Sequence, residues 1–227
     1  MADPQPSTAP PAVVVPPHRP SPAKNAIKAM VHAVATIAVA PWLVSYWVGA
    51  LVIGKNRALE GASQALALLP GITGIYLRRA FLARVLARCD RSAEVGFGTL
   101  FSQVGAVIEE NVYVGPRCHL GLVYLQKDVL VAAGVHIPSG GQTHYSDDPT
   151  RPIREQGGER RAVTIGAGAW IGSAAVVLAD VGAGTIVGAG SVVTKPLPAN
   201  VIAAGVPARV IRPRFALDSG TQDEGAS

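Results

Sequence analysis

An aliphatic residue followed by glycine recurs every six positions in the second half of the chain. Ile165-Gly166 and Ile171-Gly172 are six residues apart, and Val181-Gly182 and Val187-Gly188 repeat the spacing. An amphipathic helix has a period of 3.6 residues and a half-buried strand a period of two, so neither explains a period of six. A fixed short period is typical of a solenoid, in which each coil packs on its neighbours. The pattern therefore predicts one inward aliphatic side chain per six residues, with a small residue at the adjoining tight corner.

The same register begins at Val95 with irregular steps. It breaks at residues 138–161, a polar segment rich in glycine and proline that is too long for a corner. A long irregular loop that leaves a compact repeat is usually functional. The repeat then resumes and ends at Ile211. The step from Val177 to Val181 is four residues instead of six, which predicts a shortened corner.

Two different patterns precede the repeat. Residues 29–54 are apolar over a length that exceeds the ~20 residues a bilayer core requires. With Pro41 near the middle, this segment fits a single kinked membrane span, a re-entrant hairpin that bends at the proline, or a buried helical pair that covers the solenoid. Residues 57–91 read as a helical hairpin broken at Pro70-Gly71. Its arginines fit either contact with anionic lipid head groups or snorkelling around an apolar helix.

Composition supports a folded, repeat-based chain. Of its 227 residues 49% are hydrophobic and only 15% are charged, and many of the 25 glycines are periodic. The net charge of +5 is too small, and the arginines too scattered among few aromatics, to indicate a nucleic-acid-binding protein. Cys89 and Cys118 have no metal-ligand spacing and are interpreted as reduced thiols of a cytosolic domain. We predict a disordered Pro-rich tail (1–23), an apolar helical module (24–91), the solenoid (92–212) and a disordered tail (213–227).

Several segments of the solenoid resemble the hexapeptide-repeat acyltransferases, especially the galactoside, maltose and polysaccharide O-acetyltransferases. The segments are A-W-I-G-S at 169–173, V-G-A-G-S-V-V-T-K at 187–195, N-V-I-A-A-G-V-P-A-R-V-I-R at 200–212, G-V-H-I at 134–137 and T-H at 143–144. The likeness covers roughly half of the chain. It implies a mainly β fold, a left-handed parallel β-helix that forms a homotrimer, here preceded by the apolar helical module. The soluble sugar acetyltransferases have no counterpart of the first 90 residues.

Acetyl transfer requires a base that removes the proton of the acceptor hydroxyl, and donors that stabilise an oxyanion. Histidine suits the role of base near neutral pH. His144 lies in the long loop, where the resemblance expects the catalytic histidine. The resemblance also assigns the oxyanion donor to the backbone amide of Ser173. We expect His136, Asp147 and Asp148 to contact the acceptor, although His136 also fits a structural role on its strand.

The resemblance further implies acetyl-CoA as cosubstrate and no metal. It gives a binding role for the coenzyme to Trp170, Ala189, Thr194, Lys195, Arg209 and Arg212. The last four match positions near the nucleotide end, whose phosphates need cations such as arginine.

The expected function is therefore an acetyl-CoA-dependent O-acetyltransferase that acts on a sugar or on a membrane-linked polysaccharide intermediate. Its expected location is the cytoplasmic face of the inner membrane. Two alternatives remain open at this point: an enzyme like serine O-acetyltransferase, and a zinc-dependent gamma-type carbonic anhydrase on the same fold. The anhydrase needs three histidines at a subunit interface, and the spacing of His119, His136 and His144 fits it poorly.

Overall fold

The computed structural model describes residues 22–215 of the protein, with side chains from residue 30 onward. The predicted terminal tails lie largely outside the described residues. Four helices come first and a β-solenoid follows. The helices are α1 (Pro22–Ala38), α2 (Ala40–Ile53), α3 (Lys55–Ala67) and α4 (Gly71–Val85).

The break between α1 and α2 falls at Val39, two residues before the proline that the sequence suggested. Pro41 lies in the first turn of α2, where its missing amide costs no helical hydrogen bond. The predicted helical hairpin is confirmed as α3 and α4, with Pro70 as the N-cap residue of α4.

Within the described residues, sixteen short strands form the solenoid, a left-handed parallel β-helix with three faces. The strands are β1 Arg88–Cys89, β2 Glu94–Val95, β3 Leu100–Phe101, β4 Val107–Ile108, β5 Tyr113–Val114, β6 His119–Leu120, β7 Val123–Leu125, β8 Leu130–Val131, β9 His136–Ile137, β10 Val163–Ile165, β11 Trp170–Ile171, β12 Val176–Val177, β13 Ile186–Val187, β14 Val192–Val193, β15 Val201–Gly205 and β16 Ala208–Pro213.

Each face of the solenoid is a separate sheet. The first face contains β1, β4, β7 and β10; the second contains β2, β5, β8, β11, β13, β15 and β16; the third contains β3, β6, β9, β12 and β14. Residues 138–162 form the predicted long loop between β9 and β10, with one 3-10 turn at Ile153–Glu155.

The core of the solenoid is a stack of inward aliphatic side chains, as the period of six predicted. On the second face Val114, Val131, Ile171 and Val187 are all buried. The glycine after each pair has a steric reason: a Cβ on Gly172 would lie 2.5 Å from the Ala189 backbone nitrogen in the next coil. The glycine of each aliphatic–glycine pair is therefore required because neighbouring coils lie too close together for a side chain at this position.

The parallel register ends earlier than the sequence predicted. Ile211 belongs to β16, which runs antiparallel to β15 as a terminal hairpin, and its side chain is exposed. The reversal occurs at Gly205, whose φ of +104° favours glycine, and the following Val206-Pro207. An aliphatic residue at the expected spacing therefore does not point inward once the chain has turned back.

Helices α3 and α4 cover the N-terminal end of the solenoid. An uncovered end would leave backbone groups of the first coil unpaired and open to another chain. The amide of Phe101 donates to the Ser63 hydroxyl at 2.9 Å, and the amide of Val104 donates to the Asn56 side-chain oxygen at 3.1 Å. The helices therefore satisfy donors of the first coil in addition to covering its apolar side chains.

Arg78 joins the helices to the solenoid from a buried position. Its Nε donates to the Val95 carbonyl at 3.0 Å, and its Nη1 donates to the carbonyls of Leu66 and Leu69 at 3.2 and 2.7 Å. These two carbonyls lie at the C-terminal end of α3, the negative end of its dipole. Burial lowers the pKa of Arg78, because the charged form loses hydration.

We expect Arg78→Met to destabilise the protein by roughly 2–4 kcal/mol, because two buried carbonyls and one partly buried carbonyl lose their donor while the cost of burying a charge is relieved. Urea denaturation of the full chain measures this. Arg88→Met, at an exposed arginine, is the control and should stay within about 0.5 kcal/mol of the parent. Equal effects of the two changes would show that Arg78 does not hold the helices in place.

Helices α1 and α2 pack on the other two helices along one side only. Val39 and Tyr46 are buried against them, so part of the apolar segment is core. The opposite side, called here the outer apolar face, is exposed. Within residues 22–215 no single helix has the length and hydropathy to cross a bilayer; Met30–Ala38 and Ala40–Ile53, bent by 47°, reach both only together. The outer apolar face consists of Met30, Val34, Ile37, Val44, Trp47, Val48, Leu51 and Val52.

Candidate active site

A cleft of about 570 Å³ lies on the third face of the solenoid, between the long loop and α3. Three histidines from separate parts of the chain line it: His119 on β6, His136 on β9 and His144 in the loop. Within residues 22–215, no group of three His, Cys, Asp or Glu side chains is placed to hold a metal ion. The other lining residues are Glu60, Ser102, Gln103, Gly121, Pro138, Ser139, Thr143, Arg160 and Val176.

His119 and His136 reach the cleft because of strand alternation. In each two-residue strand the first side chain points outward and the second points into the core. His119 pairs in register with His136, and their ring centroids are 6.1 Å apart. Leu120 and Ile137 fill the core behind them. His136 therefore faces the cleft and solvent, and its predicted contact with the acceptor stays a prediction.

The loop that carries His144 is tied to itself and to the solenoid. The amide of Tyr145 donates to the Gly157 carbonyl, and the amide of Glu159 donates to the Gln142 carbonyl, so two loop segments lie side by side. At its base, the amide of Arg161 donates to the carbonyl of Ser139. This pairing presents the exposed imidazole of His144 at the edge of the cleft.

Asp148 organises the loop. Its Oδ1 accepts hydrogen bonds from the amide and hydroxyl of Thr150, at 2.9 and 2.6 Å, and these bonds lower the pKa of the carboxyl group. Its backbone groups also bond the Gln156 side chain. Neither Asp147 nor Asp148 lines the cleft in the described structure. Contact of either one with the acceptor stays a prediction. In Asp148 the Oδ1 atom already accepts two hydrogen bonds from Thr150.

Ser173 and Ala189 lie in one column at the corner between the second and third faces. The amide of Ala174 donates to the Ala133 carbonyl, and the amide of Gly190 donates to the Ser173 carbonyl, so successive coils stack there. The residue after each column position has a positive φ, +57° at Ala174. Within residues 22–215, the amides of Ala133, Ser173 and Ala189 bond no protein acceptor. The column thus offers a row of free backbone donors.

The remaining predicted coenzyme residues lie elsewhere on the later coils. Thr194 follows β14 at the opposite corner of the third face, where it helps to line a second cleft of about 300 Å³ beside the loop. Lys195 is exposed next to it. Arg209 and Arg212 are on β16, and their guanidinium groups bond only nearby backbone carbonyls in the described part of the chain. Their positive charges therefore remain available to an anion.

Trp170 points outward from the second face and is about half exposed. Tyr113 and Leu130 occupy the equivalent positions in the two preceding coils, also exposed. The second face therefore carries an apolar stripe that one chain does not cover.

One chain brings together only some of the predicted site residues. His136 and His144 line the same cleft, whereas Ser173 lies at the other edge of the third face and lines neither cleft. Sequence reasoning missed Glu60 and Arg160. Arg160 belongs to the loop already singled out, but no motif in α3 indicates that Glu60 reaches the third face.

Comparison with known proteins identifies the family. WbbJ of Escherichia coli K12, described as an O-acetyl transferase of lipopolysaccharide biosynthesis, is 30% identical over 162 residues, 62% of this chain and 83% of the relative. The chain belongs to the hexapeptide-repeat O-acetyltransferases. The galactoside O-acetyltransferase of the same organism is 33% identical over 141 residues, covering 50% of this chain and 66% of that enzyme. No family model matches the chain.

Structural comparison supports the fold of this O-acetyltransferase. A hexapeptide-repeat acetyltransferase from Vibrio cholerae O1 biovar eltor, solved in complex with acetyl coenzyme A, superimposes with a TM-score of 0.53. The match covers 74% of this chain and 92% of the other, at 18% identity. The protein is thus an acyltransferase built on the left-handed β-helix that the sequence predicted.

Proposed function

We propose that the protein transfers the acetyl group of acetyl-CoA to a hydroxyl of a sugar or of a polysaccharide intermediate. The observation that carries this proposal is the cleft on the third face, which is lined mainly by polar residues and has the loop histidine His144 at its edge. Two relatives support the acceptor class, since their names refer to a galactoside and to lipopolysaccharide biosynthesis. The acetyl-CoA complex of the structural neighbour supports the donor.

In the proposed mechanism His144 is the general base. Its imidazole takes the proton of the acceptor hydroxyl as the oxygen attacks the thioester carbonyl carbon. The carbonyl oxygen becomes an oxyanion, which the amide of Ser173 stabilises by a hydrogen bond. Collapse of the tetrahedral intermediate breaks the carbon–sulfur bond, and the proton held by His144 passes to the departing thiolate. The products are the acetyl ester and CoA, without a covalent enzyme intermediate.

Two free donors of the corner column, the amides of Ser173 and Ala189, suit the acetyl-pantetheine arm of the coenzyme. They are one coil apart, so the Ser173 amide can bond the thioester carbonyl while the Ala189 amide pairs with a pantetheine carbonyl of the same extended chain. Arg209 and Arg212 continue toward the C-terminal end, where arginine suits phosphate groups because of its bidentate geometry. Thr194 and Lys195 lie at the opposite corner of the third face, so we propose that they approach this end of the coenzyme from a neighbouring copy of the chain.

The separation of His144 from Ser173 supports a site between two copies of the chain. The two residues lie at opposite edges of the third face, so they can meet when the loop edge of one copy approaches the corner column of the next. The exposed stripe of Tyr113, Leu130 and Trp170 is an apolar surface that such a neighbour would cover. We propose a homotrimer, the arrangement that closes three such contacts with one interface type.

The test is release of CoA thiol from acetyl-CoA in the presence of a panel of acceptors. Sugars such as galactosides should support thiol release at rates well above the hydrolysis background, with an acetylated product seen by mass spectrometry. A preference for free serine would favour the serine O-acetyltransferase alternative. Zinc-dependent hydration of carbon dioxide without acetyl transfer would favour the carbonic anhydrase and contradict the proposal.

We further propose that the outer apolar face contacts the cytoplasmic side of the inner membrane. Monomeric proteins rarely expose contiguous apolar patches above a few hundred Å² unless the patch is an interaction site. Leu51 and Val52 are 89% and 80% exposed. An enzyme held there would be close to a lipid-linked glycan acceptor.

Replacing Leu51 and Val52 by glutamate should abolish co-sedimentation with phospholipid vesicles, because each charge would enter the apolar layer. Thiol release with a soluble sugar should be unchanged, since the two side chains are exposed and neither lines the cleft. Leu68→Glu, an exposed leucine after α3, is the matched control and should retain vesicle binding. Equal sedimentation of the double variant and the parent would contradict membrane contact.

A further inference from the structure

Another cavity, of about 460 Å³, lies in the helical module, and four of its lining side chains are basic. It is enclosed by α1, α4 and the first strand of the solenoid. No Asp or Glu lines it among the described residues. We call it the basic cavity; its lining residues are His32, Ala33, Thr36, Arg79, Ala80, Ala83, Arg84, Cys89 and Arg91.

Arg79 is the innermost charge of the basic cavity, with only 8% of its surface exposed. Its Nη1 donates to the Ala93 carbonyl at 3.2 Å, its Nη2 lies 2.8 Å from His32 Nε2, and its guanidinium stands over the Tyr76 ring. Its Nε has no hydrogen-bond partner in the described structure. Burial lowers the pKa of Arg79, because the charged form is desolvated. A guanidinium at this depth does not snorkel to solvent, so its charge needs compensation.

The surroundings do not supply a carboxylate partner. Within residues 30–215 the ion pairs are Arg154–Glu155 and Arg161–Asp180, neither of them in the helical module. Asp90, next in the chain to the lining residue Cys89, has its Oδ1 engaged by the amide and hydroxyl of Ser92. The side chains of Tyr76, Cys89 and Glu94 act against the effect of burial and raise the pKa of Arg79, but Glu94 forms no ion pair with it. The basic cavity therefore keeps an excess of positive charge.

Two more arginines stand at the opening of the basic cavity. Arg84 donates to the Ala80 carbonyl at 2.8 Å and to the Thr36 hydroxyl at 3.1 Å, which holds its guanidinium between α4 and α1. Arg91 follows the first strand on the other side and is exposed. With Arg79 beneath them, three guanidinium groups converge on one space. Arginine in this arrangement binds the oxygens of a phosphoryl group bidentately.

Helix α1 connects the basic cavity with the outer apolar face. Ala33 and Thr36 line the cavity, whereas Val34 and Ile37 on the same two turns are 61% and 75% exposed on the apolar face. A ligand that carries both a phosphoryl group and an alkyl chain can occupy both surfaces at once. We propose that the basic cavity binds the phosphoryl head group of an anionic lipid, with the acyl chains along α1.

The test uses the full chain and two kinds of vesicle of equal negative charge. Phosphatidylcholine vesicles containing phosphatidic acid present a phosphoryl monoester, whereas those containing oleate present a carboxylate. The parent should bind the phosphatidic acid vesicles about tenfold more tightly, the scale of a few charge-assisted hydrogen bonds. Arg84→Gln with Arg91→Gln should remove that preference. The control is Arg88→Gln with Arg117→Gln, at two exposed arginines outside the basic cavity. This double variant loses the same amount of charge but should keep the preference for phosphatidic acid.

Three outcomes would overturn the proposal. If the parent binds both vesicle types equally, the net surface charge alone explains the binding. The same conclusion follows if the two double variants lose the preference for phosphatidic acid to an equal extent. Binding of inorganic phosphate or pyrophosphate by calorimetry that depends on Arg84 and Arg91, without a vesicle preference, indicates a soluble phosphate and overturns the lipid assignment. Thiol release with a soluble sugar, which should be unchanged in Arg84→Gln with Arg91→Gln, is a separate readout, so failure here leaves the proposed activity untouched.

Discussion

Replacement of His144 by alanine is expected to lower the rate of acetyl transfer by about 10² to 10⁴-fold, the usual contribution of a general base. The remaining binding surfaces, including the corner column, are untouched by the change. The loss should therefore appear in kcat, with a small effect on the KM for acetyl-CoA. His144→Asn should be similarly inactive, because an amide can keep a hydrogen bond but cannot accept the proton. Thiol release measures both variants.

Two comparisons separate loss of the base from damage to the loop. Tyr145→Phe removes a neighbouring exposed hydroxyl and leaves the backbone pairing of the loop intact, so it should retain activity. His119→Asn and His136→Asn alter the other two imidazoles of the cleft and should raise the KM for the sugar more than they lower kcat. Should His136→Asn, and not His144→Ala, abolish turnover, the role of base would belong to the strand histidine.

The repeat and the loop could be predicted because both are local properties of the sequence. A close approach between coils requires glycine at Gly172, and an inward position requires an aliphatic residue, so one strand and its corner are specified by six consecutive residues. The loop could be predicted because residues 138–161 lack this six-residue pattern. His144 became a candidate from its place in the loop and from the family resemblance.

The other half of the cleft depends on how the helices dock, which no local pattern encodes. Glu60 lies in an Ala/Leu-rich helix, and only the packing of α3 on β3 brings it to the third face. The basic cavity is hidden in the same way. Arg79, Arg84 and Arg91 share no single helical face, because Arg91 reaches the cavity from the end of the first strand. Their convergence is a tertiary property.

Replacement of Ser173 by proline is expected to lower kcat by about 10² to 10³-fold, since it deletes the one amide proposed to stabilise the oxyanion. Replacing a residue by proline to delete its amide can distort the backbone, but this chain already has a proline at an equivalent corner. Pro116 occupies the same corner column two coils earlier, after Gly115 and before Arg117, whose φ of +57° equals that of Ala174. The corner therefore accepts the pyrrolidine ring.

Two variants complete this test of the corner column. Ser173→Ala keeps the amide and removes only the hydroxyl, so near-parental activity is expected. Ala133→Pro puts the same ring into the column one coil away from Ser173, where the lost amide has no assigned role. If Ala133→Pro and Ser173→Pro are equally impaired, the cause is strain at the corner; if Ser173→Pro stays active, the oxyanion is stabilised elsewhere. Inactivity confined to Ser173→Pro, with an unchanged urea midpoint, is the result that a backbone oxyanion donor requires.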